Sequence, residues 1–159
     1  MRISTLAKTG AAALATAVVG GLASKDSQSL WYARLRKPGF QPPRQAFPIV
    51  WPILYADIAA VSAATIDTLD ERGQNEKAAA YTRALAANLV LNASWSWLFF
   101  NRRWLGTSAV AAGLLAVSSA DLARRAAEAN PAAGAVLAPY PLWCAFATAL
   151  STRIWQLNR

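Results

Sequence analysis

The chain has 159 residues, 55% of them hydrophobic and only 15% charged, a balance displaced from the average soluble domain toward membrane proteins. With no His, and Met1 as its only Met, it lacks the usual axial haem ligands and the side chains of most His-based metal or general-base chemistry. A net charge of +8 and a pI near 10.4 do not indicate nucleic acid, because Lys and Arg fall between apolar runs and form no stripe.

Mean hydropathy is only +0.25 because much of the apolar content is Ala, so spans are read from charge-free length as well as from score. Five weakly polar segments result, roughly 3–23, 47–69, 79–100, 105–127 and 134–157, each near the ~20 residues that cross a bilayer. They predict an all-α, multi-pass integral membrane protein: a single domain over 1–159 with five transmembrane helices and its termini on opposite sides. The single Cys144 lies inside the last segment and excludes an intramolecular disulfide.

The first segment follows Arg2 and ends at Gly21-Leu22-Ala23, a pattern shared by signal peptides and membrane helices. Gly10, Ala13, Ala17 and Gly21 recur at three or four residues, which favours a retained helix that packs closely on its neighbours. Between the first two segments Pro38, Pro42 and Pro43 fix φ and remove backbone donors. That stretch is expected to be a bent, stiff lid over the bundle.

The second segment opens with Phe47-Pro48-Ile49-Val50-Trp51-Pro52, prolines being tolerated in a first helical turn whose N–H groups have no partner. It closes at Asp70-Glu71-Arg72-Gly73. In the third, Asn88, Asn92, Trp95 and Phe99 share one face. Amides at membrane depth need partners, and two readings are open: hydrogen bonds between helices, or contact with a polar group on a ligand. Ala80, Ala84 and Ala87 offer a small-residue surface for a second copy or for packing within the chain. Asn101-Arg102-Arg103 and Glu128-Ala129-Asn130-Pro131 close the third and fourth segments.

In the last segment Tyr140, Trp143, Ala147 and Leu150 form an aromatic patch above a small residue. Trp31, Trp104 and Trp155 suit the role of interface anchors, whereas Trp51, Trp95 and Trp143 are placed to face inward. Asp57 and Asp121 fall in apolar segments, where a carboxylate is costly unless it meets the bundle interior or a partner such as Arg153 or an Asn. Lys25, Arg34, Arg36, Lys37, Arg44, Arg102, Arg103, Arg153 and Arg159 give the side of the first loop a slight excess of positive charge, which places it and the C-terminus in the cytoplasm.

The order and spacing of several motifs resemble the TspO/MBR family, the translocator or tryptophan-rich sensory proteins whose mammalian member is the peripheral benzodiazepine receptor. The resemblance covers nearly the whole chain. It rests on Trp31-Tyr32 with Leu35 and Lys37-Pro38, on Phe40 and Pro42-Pro43, and on Val50-Trp51-Pro52 with Leu54-Tyr55. Asn88 and Asn92 with Trp95 and Phe99-Phe100 continue it, followed by Pro139-Tyr140, Trp143, Phe146-Ala147-Thr148, Ile154 and Leu157-Asn158.

The resemblance implies five membrane helices around a pocket capped by the first loop, often in a homodimer, with a porphyrin or similar planar apolar ligand inside. It also implies that the first segment is kept. Carried onto this chain, it makes Trp51 and Trp143 the indoles facing the ligand and Asn92 the amide beside Trp51. Around them stand Trp95, Tyr55, Asn88, Ala147, Trp31, Tyr32, Phe47 and Pro42. No cofactor or metal is required, and membrane lipid is the other partner.

One departure stands out: Leu150-Ser151-Thr152-Arg153 has no Tyr before the basic residue, as the family's sterol-recognition stretch requires, which argues against sterol. Ser151 also stands where many members have Asn. The reading is therefore a porphyrin sensor or carrier. The alternatives are light- and oxygen-dependent porphyrin degradation through Trp51 and Trp143, and a membrane scaffold for partner proteins.

Overall fold

The computed structural model describes residues 1–159. In chain order it contains α1 (Ile3–Ser24), a 3-10 turn (Lys25–Gln28), α2 (Leu30–Arg34), α3 (Ala46–Glu71) and α4 (Asn75–Ser96). A π-helical turn (Trp97–Asn101) continues α4, followed by α5 (Leu105–Ala129), α6 (Pro131–Leu137) and α7 (Pro139–Leu157). There is no strand. Four stretches, Ile3–Gln28, Ala46–Glu71, Leu105–Ala129 and Pro131–Leu157, are long and apolar enough to cross a membrane. The chain is thus an all-helical, multi-pass integral membrane protein. α4 carries Glu76, Lys77 and Arg83 in its first half and falls outside those four.

Two predicted helices end differently from the simple expectation. The 134–157 segment is broken at Ala138, because Pro139 and Pro141 lack the N–H groups that would bond the carbonyls of Ala135 and Leu137. The Ala138 N–H takes over the Ala135 carbonyl at 3.3 Å instead. The third segment widens to π geometry at Trp97, which turns Phe99 and Phe100 toward the lid. Pro52 lies inside α3, since that helix begins at Ala46 and only Pro48 falls in its first turn.

α1 packs on a face one step from the expected one. Its buried residues are Thr9, Ala13, Thr16, Gly20 and Ala23, at alternating spacings of four and three. Of the predicted stripe only Ala13 belongs to this set, and Gly10 and Gly21 have no neighbour near the position of a Cβ. The polar Thr9 is buried because its Oγ1 donates to the Ala59 carbonyl at 2.8 Å. Below it Asp67, 2% exposed, accepts from Thr5 Oγ1 at 2.7 Å, from Arg2 Nε at 2.9 Å and from the Arg2 backbone N–H. These bonds fasten the start of α1 to the end of α3.

The main apolar core joins α3 to α7 through residues such as Leu54, Ile58, Tyr81, Leu85, Leu122, Leu137 and Tyr140. A smaller cluster of Tyr32, Phe99, Leu150 and Ile154 lies toward the lid. Asp121 turns out to pair with Arg124 and Arg125, at 2.6 Å each, on its own helix and not with Arg153 or an Asn. Asp57 is half-buried and makes no hydrogen bond or ion pair.

Candidate functional site

The prolines of the first loop do what their fixed φ requires: no regular helix runs between Leu35 and Gln45. The loop is instead held by specific bonds. The Arg36 N–H donates to Asn158 Oδ1 at 2.9 Å while Asn158 Nδ2 donates to the Arg36 carbonyl at 2.8 Å, bolting the lid to the end of α7. Lys37 Nζ donates to the Tyr32 carbonyl at 2.6 Å and lies 4.4 Å from the Tyr32 ring centre. Burial, with Arg44 close by, pushes the Lys37 ammonium below the ordinary lysine range. Burial also pushes the Tyr32 phenol up, although Gln41 donates to it, so Tyr32 stays neutral.

Asn158→Ala removes both lid bonds. At about 1 kcal/mol each, the open population of the lid is expected to rise about fivefold to thirtyfold. Limited trypsin digestion between Arg36 and Lys37 should quicken accordingly. Cleavage at the wild-type rate would mean that Asn158 does not hold the lid.

Beneath the lid lies a cavity of about 1080 Å³ walled by α1, α3, the end of α4, the π turn and α7. Its lining is largely aromatic or small: Tyr32, Phe47, Trp51, Tyr55, Trp95, Phe99 and Phe100 meet Gly10, Ala13, Ala17 and Gly20 of α1. Trp51 and Tyr55 lie ring to ring at 5.6 Å, and Trp95 stacks on Phe99 at 5.7 Å. The Trp95 indole N–H donates to Ser151 Oγ at 3.3 Å. Arg44 is the only charged residue of the lining.

Six of the eleven candidate ligand residues therefore line one cavity: Tyr32, Phe47, Trp51, Tyr55, Asn92 and Trp95. Asn88, Trp31, Pro42, Trp143 and Ala147 do not. Trp143 packs on Phe47 at 5.9 Å and Phe146 at 5.5 Å, so it meets the cavity wall through Phe47. Its indole N–H is buried without an acceptor. Trp31 is no free-standing interface anchor, since it meets Phe99 edge-on and carries Arg103 over its ring at 5.0 Å. Trp104 and Trp155, 55% and 38% exposed, are on the outer surface.

Both buried amides are engaged between helices. Tyr55 Oη donates to Asn92 Oδ1 at 2.9 Å, Asn92 Nδ2 donates to Tyr140 Oη at 3.1 Å, and Tyr140 Oη donates to Asn88 Oδ1 at 2.7 Å. Asn88 Nδ2 then donates to Ser118 Oγ at 3.1 Å. This relay ties α3, α4, α7 and α5 together and sets the floor of the cavity, because Tyr55 and Asn92 belong to both. Of the two readings open for these amides, bonding between helices is the one made here. A ligand reaching Asn92 would have to use its second N–H or its second lone pair.

Sequence reasoning missed the α1 wall, Arg44 as the particular lid cation, and Asp67. The apolar face of a helix beside a cavity has the same composition as one packed on a neighbour, so nothing marked Gly10 or Gly21 as lining. The sequence signal for Asp67 is the one shared with Asp57 and Asp121, a carboxylate in an apolar segment.

Residues 9–156 match the profile of the TspO/MBR family. The translocator protein of Ovis aries is 35% identical over 130 residues, which cover 81% of this chain and 75% of that protein. The tryptophan-rich sensory protein of Cereibacter sphaeroides is 30% identical over 150 residues, covering 93% and 87% respectively. Protein CrtK of Rhodobacter capsulatus is 29% identical over 145 residues, covering 91% and 89%.

Proposed function

This chain belongs to the TspO/MBR family of membrane proteins, and from that premise we propose that it binds porphyrin, or a similar planar apolar ligand, in the lidded cavity as a sensor or carrier. The aromatic cavity of about 1080 Å³ carries the reading, being large enough for a tetrapyrrole and rich in flat faces on which one can stack. Arg44 at the lid end supplies a cation for a ring carboxylate. With no His in the chain, stacking and hydrogen bonds hold the ring.

The same proposal takes all five long helices across the bilayer. Beyond Arg83 the third predicted segment has no charge until Arg102. At ~1.5 Å per residue, residues 84–101 span ~27 Å, close to the ~30 Å of hydrocarbon. Glu76, Lys77 and Arg83 then lie at the water interface.

The test is a dark titration of detergent-solubilised protein with protoporphyrin IX, following Trp quenching and the Soret band. Trp51→Phe and Arg44→Gln are each expected to weaken binding about threefold to tenfold, that is about 0.7 to 1.4 kcal/mol. Trp143→Phe should do less, because Phe47 stands at the wall. The Arg44→Gln effect should vanish for the porphyrin dimethyl ester, which has no carboxylate. Linear quenching, unmoved by any substitution, would mean that porphyrin only dissolves in the micelle. Repeating the titration under light separates binding from consumption: loss of the Soret band that disappears in the Trp→Phe variants would mark degradation.

A further inference from the structure

Leu14 and Gly21 of α1, with Pro48, Pro52 and Ala56 of α3, line the cavity and are nonetheless exposed. Steps of four put Pro48, Pro52 and Ala56 on one line down α3, and a step of seven puts Leu14 and Gly21 on one line of α1. The cavity is therefore open sideways, through a slot between these two helices. All five edge residues are apolar or Gly. From Phe47 to Ala59 the α3 edge runs ~18 Å at ~1.5 Å per residue, more than half of the ~30 Å hydrocarbon layer.

The hydrogen bonds between α1 and α3 are confined to Arg2, Thr5 and Thr9, so none crosses the slot above Ala59. The lid, by contrast, is bolted to α7 through Asn158. An apolar void open to hydrocarbon does not stay empty, because its lining would forfeit the dispersion contacts that a chain restores. At the lid end Arg44 is exposed, makes no ion pair and is the only charged residue of the lining. An acyl-length apolar slot below one cation that has no carboxylate partner, its guanidinium 5.7 Å from the Tyr32 ring centre, has the charge and shape complementary to a phospholipid.

We propose that the slot between α1 and α3 seats a bilayer phospholipid, with one acyl chain against Leu14, Gly21, Pro52 and Ala56 and its phosphate at Arg44. The seat stands without the porphyrin reading. Where that reading also holds, the slot is the side on which a membrane-dissolved ligand exchanges with the resident chain.

Trp95 reports on the slot, since it lines the cavity from the α4 wall and is bonded to Ser151 of α7. The full chain is reconstituted in phosphatidylcholine vesicles with brominated or ordinary acyl chains, and Trp95 emission is obtained by subtracting the Trp95→Phe variant. Most of that emission is expected to be lost in brominated vesicles. Gly10→Leu and Gly21→Leu, at positions where an added Cβ meets nothing within 4 Å, should narrow the slot and restore it. Near-ultraviolet circular dichroism identifies a variant that has misfolded, and two plugs at different heights leave one to read.

Equal Trp95 emission in the two lipids, or quenching undiminished in the folded plugged variants, would overturn the proposal. So would quenching that fades as the protein-to-lipid ratio rises, which would assign the slot to a second copy. At a low fraction of brominated lipid Arg44→Gln is expected to quench less than wild type. Unchanged quenching there overturns the phosphate contact, and with it the phospholipid as occupant.

Discussion

Tyr140→Phe is expected to destabilise the bundle by about 1–2 kcal/mol, although it removes a single oxygen from a side chain that is 0% exposed. That hydroxyl donates to Asn88 and accepts from Asn92, so its loss leaves an amide carbonyl and an amide N–H without partners away from water. Hydrogen bonds between membrane helices average about 0.6 kcal/mol, because the separated helices find other partners. The higher figure applies here because two groups are orphaned at once and the ring that remains blocks any water from replacing them.

Tyr55→Phe and Ser118→Ala each break one end of the relay and should cost about half as much. Asn92→Leu strips partners from Tyr55 and Tyr140 together and should match or exceed Tyr140→Phe. Denaturation in mixed micelles, followed by far-ultraviolet circular dichroism, gives the order. A Tyr140→Phe protein no weaker than Tyr55→Phe would mean that the relay does not act as one unit. Because Asn92 is also in the cavity floor, its replacement should weaken porphyrin along with stability, whereas Tyr140, outside the lining, should affect stability first.

What the sequence revealed and what it concealed divide along physical lines. Apolar length located the four stretches able to cross a membrane, the last of them broken at Ala138, and the prolines of the lid excluded regular structure between Leu35 and Gln45. The four-three-four spacing of Asn88, Asn92, Trp95 and Phe99 correctly put them on one face, because helical periodicity is local. Their partners were not legible, since Tyr140 lies 48 residues from Asn92 and no local rule pairs them. The α1 stripe was misplaced for a related reason. Gly10 and Ala17 are as small as Ala13 and Gly20, and only the positions of α3 and α4 decide which of them touch.

Trp51 and Trp143 show the same limit at the site. Both are indoles at similar depth near helix starts, yet Trp51 lines the cavity and Trp143 meets it through Phe47. A side chain of one neighbouring residue made that difference. Likewise the lid carries four cations, Arg34, Arg36, Lys37 and Arg44. Lys37 folds back on Tyr32, and of the four only Arg44 belongs to the cavity lining.

Gly134→Ala carries the second large effect, and it reaches the site from outside. α6 crosses α5 so closely at Gly134 that an added Cβ would fall on the Ala127 side chain, 2.8 Å from its Cα and 2.9 Å from the Ala123 carbonyl oxygen. Backbone atoms cannot rotate away, so α6 must move, at a cost of about 1–3 kcal/mol typical of an overpacked core. α6 runs through Ala138 directly into Pro139 and Tyr140. Its displacement should therefore loosen the Tyr140 bonds to Asn88 and Asn92 and weaken porphyrin binding, although Gly134 lies outside the cavity. Ala127→Gly should rescue part of the loss by removing the nearest contact, and only part, because the Ala127 Cα and the Ala123 carbonyl stay in place. Thermal denaturation and porphyrin titration of the two single variants and the double variant would measure the coupling. Full stability in Gly134→Ala would show that the helices separate at no cost, and a double variant no better than Gly134→Ala alone would put the strain somewhere other than Ala127.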